Sequence, residues 1–121
     1  MPNFVGWNGY YQAIGYERGG ELKGAVVYTN ASPRNVMTSI VLEAPMTRRF
    51  LYAAFWYPFE QLKVHRITAL VEHWNKKSLL FCKHLGFRVD GGRLQEAASD
   101  GGDILILWMP KRECRWLKRP P

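Results

Sequence analysis

Cysteine and histidine are scarce in this chain: two cysteines, Cys82 and Cys114, and three histidines, His65, His73 and His84. The cysteines do not fall at metal-ligand spacing, so no metal site is expected, and in a reducing compartment they are expected to stay unpaired. None of the histidines has a sequence-adjacent partner that would define a catalytic dyad, so all three are assigned to the surface or to helix ends. Long apolar runs are missing as well. No stretch approaches the roughly 18 consecutive apolar residues of a membrane helix, and Met1-Pro2-Asn3 lacks the basic and apolar segments of a signal peptide. The expectation is a cytoplasmic protein with no membrane partner.

Acidic residues are also in short supply, with 10 Asp and Glu against 17 Lys and Arg, for a net charge of +7. That excess suits an acidic partner: nucleic acid, a membrane surface or a phosphorylated small molecule. No zinc-finger, RNP or helix-turn-helix signature accompanies it. The basic tail residues Lys111, Arg112, Arg115, Lys118 and Arg119 read as a solvated cluster. Sequence-independent binding to a phosphate backbone stays open, since it needs little beyond charge.

What is present is enough for a folded core. With 47% hydrophobic and 22% charged residues, the 121-residue chain is expected to form one domain over residues 1–121. Residues 11–44 predict three antiparallel strands: Tyr11 to Arg18, a hairpin turn at Gly19-Gly20, Glu21 to Tyr28, then Val36 to Leu42 after the punctuating run 30–35. From Met46 the period changes. Phe50, Leu51, Ala54, Phe55, Phe59 and Leu62 recur at helical spacing and predict a helix of about 16 residues, kinked or interrupted by Pro58. Arg66 to Glu72 predicts a short central strand. Asn75 is a good N-cap and Gly86 a left-handed stop for the next helix. Phe87 to Ala97 and Asp103 to Trp116 predict a final pair of strands, joined through Ser99-Asp100-Gly101-Gly102. The fold class is α/β, of the α+β kind.

Both predicted helices open with paired cations, Arg48-Arg49 and Lys76-Lys77. A helix N-terminus already carries about half a positive charge, so cations there are disfavoured by roughly 0.3–1 kcal/mol each. Two readings follow. Either an anion such as phosphate binds the free N–H groups, or the long side chains bend into water.

The pieces Phe59-Glu60-Gln61-Leu62, His65-Arg66-Ile67, Asn75-x-x-Ser78, Leu85-Gly86-Phe87, Gly91-Gly92-Arg93-Leu94 and Asp100-Gly101-Gly102-Asp103 stand in order over roughly residues 36–110. Together they resemble the C-terminal half of a GNAT-superfamily N-acetyltransferase, nearest the ribosomal-protein alanine N-acetyltransferase branch. The resemblance implies a mixed, mainly antiparallel central sheet flanked by helices. It also implies acetyl-coenzyme A in a splay between the strand ending at Leu42 and the strand starting at Arg66, and a primary amine as acceptor, on a peptide N-terminus or a small molecule. The family's Gly-x-Gly phosphate loop falls on Pro45-Met46-Thr47, where neither glycine is present. Their loss either weakens phosphate binding or shifts the contact to Arg48 and Arg49, with Thr47 beside them. The N-terminal part that usually forms the acceptor side is short, and a homodimer partner is one way to supply that wall.

The same resemblance distributes the chemistry of amine attack on a thioester. Backbone N–H groups near Val41 and Leu42 are the family-like oxyanion donors, and Glu43 at the strand end is the candidate base, with a solvated strand-end carboxylate as its alternative. Cys82 stands where many relatives carry a general-acid tyrosine, and is either that donor or a small buried group. Ser78 either reaches the thiol end of the cofactor or backs up the Asn75 cap. Asn75 and Lys77 complete the cofactor contacts. Trp74 lines the acceptor pocket or acts as a hydrophobic staple, and Asp103 takes a turn role. The alternative function is a catalytically inactive protein of this fold that engages nucleic acid or a protein partner through its basic surface.

Overall fold

The computed structural model describes residues 3–6, 11–42 and 45–118, with residues 3–6, 11, 41 and 42 described through their backbone alone. Strands β1 (Asn3–Gly6), β2 (Tyr11–Arg18), β3 (Glu21–Thr29) and β4 (Asn35–Leu42) lead into helix α1 (Arg48–Trp56). Strand β5 (Arg66–Glu72), helix α2 (Lys76–Leu85) and strands β6 (Arg88–Leu94) and β7 (Ile104–Pro110) follow. The strands form one sheet in the order β1-β2-β3-β4-β5-β7-β6. Its neighbours are antiparallel except β4 and β5, which run parallel. The mixed, mainly antiparallel sheet expected above is therefore present, with an added first strand at its edge.

Alternation decides which face is covered. Ile14, Tyr16, Val26, Tyr28, Val36, Ile67, Ala69, Leu107 and Met109 point from the strands into one core with Phe50, Phe55, Leu79, Cys82 and Leu85 of the helices. Both helices thus lie on the same face of the sheet.

Local chemistry sets the helix ends. Thr47 Oγ1 accepts the Phe50 N–H at 3.1 Å and starts α1. The predicted helix of about 16 residues is shorter than expected: α1 stops at Trp56, and Tyr57–Gln61 continues as a π-helical turn in which Leu62 N–H donates to the Tyr57 carbonyl at 2.9 Å. Pro58 is the cause, because it has no N–H to return to the Ala54 carbonyl one turn back. The Tyr28 hydroxyl from β3 donates to that carbonyl instead. Asn75 Oδ1 accepts the Ser78 N–H at 3.2 Å and starts α2, and Gly86, at φ 113°, ends it.

The last strand is also shorter than predicted. It ends at Pro110, and two 3-10 turns, Lys111–Glu113 and Arg115–Leu117, follow. Within them Trp116 Nε1 donates to the Leu85 carbonyl at 2.8 Å, Arg115 donates to the His84 carbonyl, and Arg88 Nε meets Glu113 Oε1 at 2.8 Å. The second turn also packs on α1, so this segment links α1 to the end of α2. Part of the charge assigned to a solvated tail is therefore engaged here. Strand β6 runs from Arg88 only to Leu94, with an irregularity between Val89 and Arg93.

Candidate functional site at the divergence of the parallel strands

Strands β4 and β5 pair only from Asn35↔Arg66 to Thr38↔Ala69. Beyond that point β4 continues to Leu42 on the side of β3, and β5 continues to Glu72 on the side of β7. The facing edges of Ser39–Leu42 and Leu70–Glu72 therefore separate into a wedge, leaving main-chain donors and acceptors unused toward each other. An extended ligand with amide groups can fill such a gap as an extra strand would. Val41 and Leu42 lie on one of these edges; Glu43, the candidate base, lies outside the described residues.

Both helices follow the strands that bound the wedge. An α-helix leaves its first N–H groups without intrahelical partners. In α1, Thr47 takes the N–H of Phe50, so those of Arg48 and Arg49 remain as donors. In α2, Asn75 takes the N–H of Ser78 and the Trp74 carbonyl takes that of Lys76, so Lys77 remains. The side chains of Arg48, Arg49, Lys76 and Lys77 are exposed, and none forms an ion pair among the described residues. Each free donor thus comes with a cation, an arrangement suited to phosphate.

The Ser78 hydroxyl makes no hydrogen bond among the described residues; the cap is completed by its main-chain N–H. Of the two readings of Cys82, proton donor or small buried group, its surroundings fit the second. It is 3% exposed, on the core-facing stripe with Leu79 and Leu85, and burial pushes its thiol up to about 11. A donor for a leaving sulfur has to touch it, and a side chain enclosed in the core behaves as a packing group.

Two features escaped sequence reasoning. His73 Nε2 lies 2.7 Å from Asp100 Oδ2, a pairing across 27 positions that no local pattern signals. The main-chain N–H of Gly102 is the largest influence holding the Asp100 carboxyl below its ordinary range, with His73 adding to it. The loop between β6 and β7 is tied to the same end of β5: His73 N–H donates to the Asp103 carbonyl at 3.0 Å, and Asp103 Oδ1 accepts the Glu96 N–H at 3.1 Å, a turn role. Trp74 is half exposed beside them.

The second feature is Thr38, the last β4 residue paired with β5. Its Oγ1 is buried and has no hydrogen-bond partner among the described residues. A buried hydroxyl left unpaired costs about 1–3 kcal/mol. It faces a pocket lined by Tyr28, Ile40, Met46, Leu51 and Ile67, among other apolar side chains. Among the described residues no cluster of His, Cys, Asp and Glu is arranged to hold a metal ion, and no helix is long and apolar enough to cross a membrane.

No protein-family model matches the chain, and no curated protein matches it. Solved structures do. The N-acetyltransferase PseH of Campylobacter jejuni, in complex with acetyl coenzyme A, superposes with a TM-score of 0.65 at 14% identity, covering 86% of this chain and 70% of that one. A point mutant of the spermidine N-acetyltransferase SpeG of Vibrio cholerae gives a TM-score of 0.73 at 22% identity, covering 93% of this chain and 71% of that one. A probable acetyltransferase gives 0.73 at 18% identity, over 86% of this chain and 63% of that one. At these identities the likeness establishes architecture: this chain has the GNAT fold of the N-acetyltransferases.

Proposed function

We propose that this protein is an acetyl-coenzyme A-dependent N-acetyltransferase acting on a primary amine. The observation that carries this reading is the β4/β5 wedge, which opens beyond Thr38 and Ala69 beside helix N-termini whose first N–H groups and cations are unpaired among the described residues. Bound acetyl-coenzyme A supplies an activated acetyl thioester. The chain's own residues bind and orient it: the edges at Val41 and Leu42 meet amide groups, Arg48, Arg49 and Lys77 hold phosphate, and Asn75, Ser78 and Thr47 line the two helix starts. Main-chain N–H groups near Val41 and Leu42 are the oxyanion donors, and Glu43 is the base that takes the amine proton, directly or through a water.

The acceptor is a primary amine on a peptide N-terminus or a small molecule; the SpeG relative in fold is a spermidine enzyme. The chain matches about 70% of the PseH and SpeG chains, and a second copy of this protein is a candidate for the remaining acceptor wall. Two free thiols, Cys82 and Cys114, suit a cytoplasmic location.

Calorimetric titration with acetyl-coenzyme A and with dephospho-coenzyme A tests the cofactor site. Micromolar binding that weakens without the 3′-phosphate supports it, and an amine-acceptor screen then tests turnover. Absence of binding overturns it. One observation favours a second reading: Pro45, Met46 and Thr47 occupy the loop where glycines let a backbone approach phosphate closely. An inactive nucleic-acid-binding protein of this fold would show affinity for a DNA or RNA duplex that falls steeply with salt, and no acetyl-coenzyme A binding.

A further inference from the structure

We propose that the end of the sheet opposite the wedge is a docking surface for single-stranded nucleic acid, an inference that needs neither the presence nor the absence of acetyl transfer. Strands β4 and β5 both run toward the wedge, so their first residues, Asn35 and Arg66, lie at the far end. Pro110 pairs with Arg66, and Arg88 with Trp108, which brings the end of β7 and the start of β6 to the same end. Each helix connects the wedge end of one strand to the far end of another, so α1 and α2 also finish there. Main-chain hydrogen bonds tie the loops together: His65 and Arg66 N–H groups donate to the Arg34 carbonyl, and Lys111 N–H donates to the His65 carbonyl, each at 3.0 Å.

Charge is divided unevenly between the two ends. At the far end every carboxylate is already engaged: Glu60 with Lys111 and Asp90 with Arg66, each at 3.1 Å, and Glu113 with Arg88. Arg34, Lys63, Lys83, Arg112 and Lys118 are exposed there and form no ion pair among the described residues. At the wedge end, by contrast, Glu72, Glu96, Asp100 and Asp103 stand among the cations, so most of the net charge of +7 belongs to the far end. A helix C-terminus accommodates a cation, which accounts for Lys63 and Lys83 but not for Arg34, Arg112 and Lys118. Cations gathered without counter-charge repel one another, and a polyanion relieves that repulsion.

Trp56 chooses among polyanions. It is the last residue of α1, lies outside the core and is 40% exposed. An open aromatic face among cations suits a single strand, whose bases stack while its phosphates meet the charges. A lipid surface asks instead for a row of apolar side chains along one helix face, and in α1 that face, with Phe50, Leu51, Ala54 and Phe55, is buried in the core.

Fluorescence anisotropy of a labelled oligouridine of about 20 nucleotides, read with the full chain across about 50 to 200 mM salt, tests the assignment. The unsubstituted protein should bind with a log–log salt slope of about −3, the value for about four or five phosphates on a single strand. The Arg34→Gln, Lys63→Gln, Lys83→Gln, Arg112→Gln protein should keep its melting temperature, lose at least about tenfold in affinity and show a slope shallower than about −1. If it melts early, the two double variants, Arg34→Gln with Arg112→Gln and Lys63→Gln with Lys83→Gln, carry the same comparison. Trp56→Leu should weaken binding by about tenfold without changing the slope. Arg48→Gln with Arg49→Gln, at the wedge end, should leave the affinity nearly unchanged, because salt screens charges that far away. Absence of oligouridine binding by the unsubstituted protein overturns the inference, and so does a loss caused by the wedge-end variant but not by the far-end one. Unchanged affinity in Trp56→Leu overturns the single-strand assignment. Sedimentation with phosphatidylserine-containing vesicles is the lipid arm: capture there without oligouridine binding also overturns the inference.

Discussion

The hydroxyl of Tyr28 donates to the carbonyl of Ala54, four residues before Pro58. A side chain from the sheet thus stands in for the main-chain N–H that proline lacks, and it pins α1 to β3 at the point where the helix turns π-helical. Burial raises the Tyr28 phenol well above its ordinary 10.0, so it remains a donor throughout the neutral range.

Tyr28→Phe should destabilise the fold by about 1–2 kcal/mol, because the Ala54 carbonyl is left without this donor. Adding Pro58→Ala should recover part of the loss, since an alanine N–H can bond the same carbonyl. Urea unfolding of both single variants and the double variant checks the coupling. Additive losses would show that the two residues act independently.

Replacing Arg48 and Arg49 together with alanine should raise the dissociation constant for acetyl-coenzyme A by about tenfold or more, as charge-assisted contacts to phosphate are lost. Both side chains are exposed and free of ion pairs among the described residues, so stability should change by less than about 0.5 kcal/mol. Calorimetry beside thermal melting separates the two effects. An unchanged dissociation constant would remove these arginines from the phosphate site.

Gly86→Ala should cost about 1–2 kcal/mol or more. The residue sits at φ 113°, where an L side chain is strained, and a Cβ would lie 3.5 Å from both Arg115 Nη1 and Met109 Cε. The contacts themselves are ordinary, so the loss measured in urea should come from the backbone conformation.

Alkaline pH should weaken the fold through its thiols. Burial pushes Cys82 and Cys114 up to about 11 from their ordinary 9.0. Between those values the unfolded chain releases these protons first and binds fewer than the folded chain, so the unfolding free energy falls as pH rises. Below that window both states keep the protons and stability is indifferent to them. Denaturant midpoints measured from pH 8 to pH 11 should fall, and the slope should be shallower in a Cys82→Ala, Cys114→Ala variant.

The sequence by itself determined the features that depend on a few neighbouring residues. The strand spans at Tyr11 and Glu21 follow from the hairpin turn at Gly19-Gly20, that at Arg66 from a short β-branched, apolar run, and the bounds of α2 from the Asn75 cap and the left-handed Gly86. The interruption at Pro58 follows from a missing N–H, and the Asn75-to-Phe87 motif carried the resemblance to the fold. Tertiary structure alone decided where β4 and β5 part, since that depends on β3 and β7 each holding one strand away from the other. It also put Cys82 in the core and Ser78 at its margin, paired His73 with Asp100, and left Thr38 Oγ1 unpartnered at the closed end of the wedge. The physical reason is range: caps, turns and alternation act over a few residues, whereas burial and strand divergence depend on segments that meet only once the chain has folded.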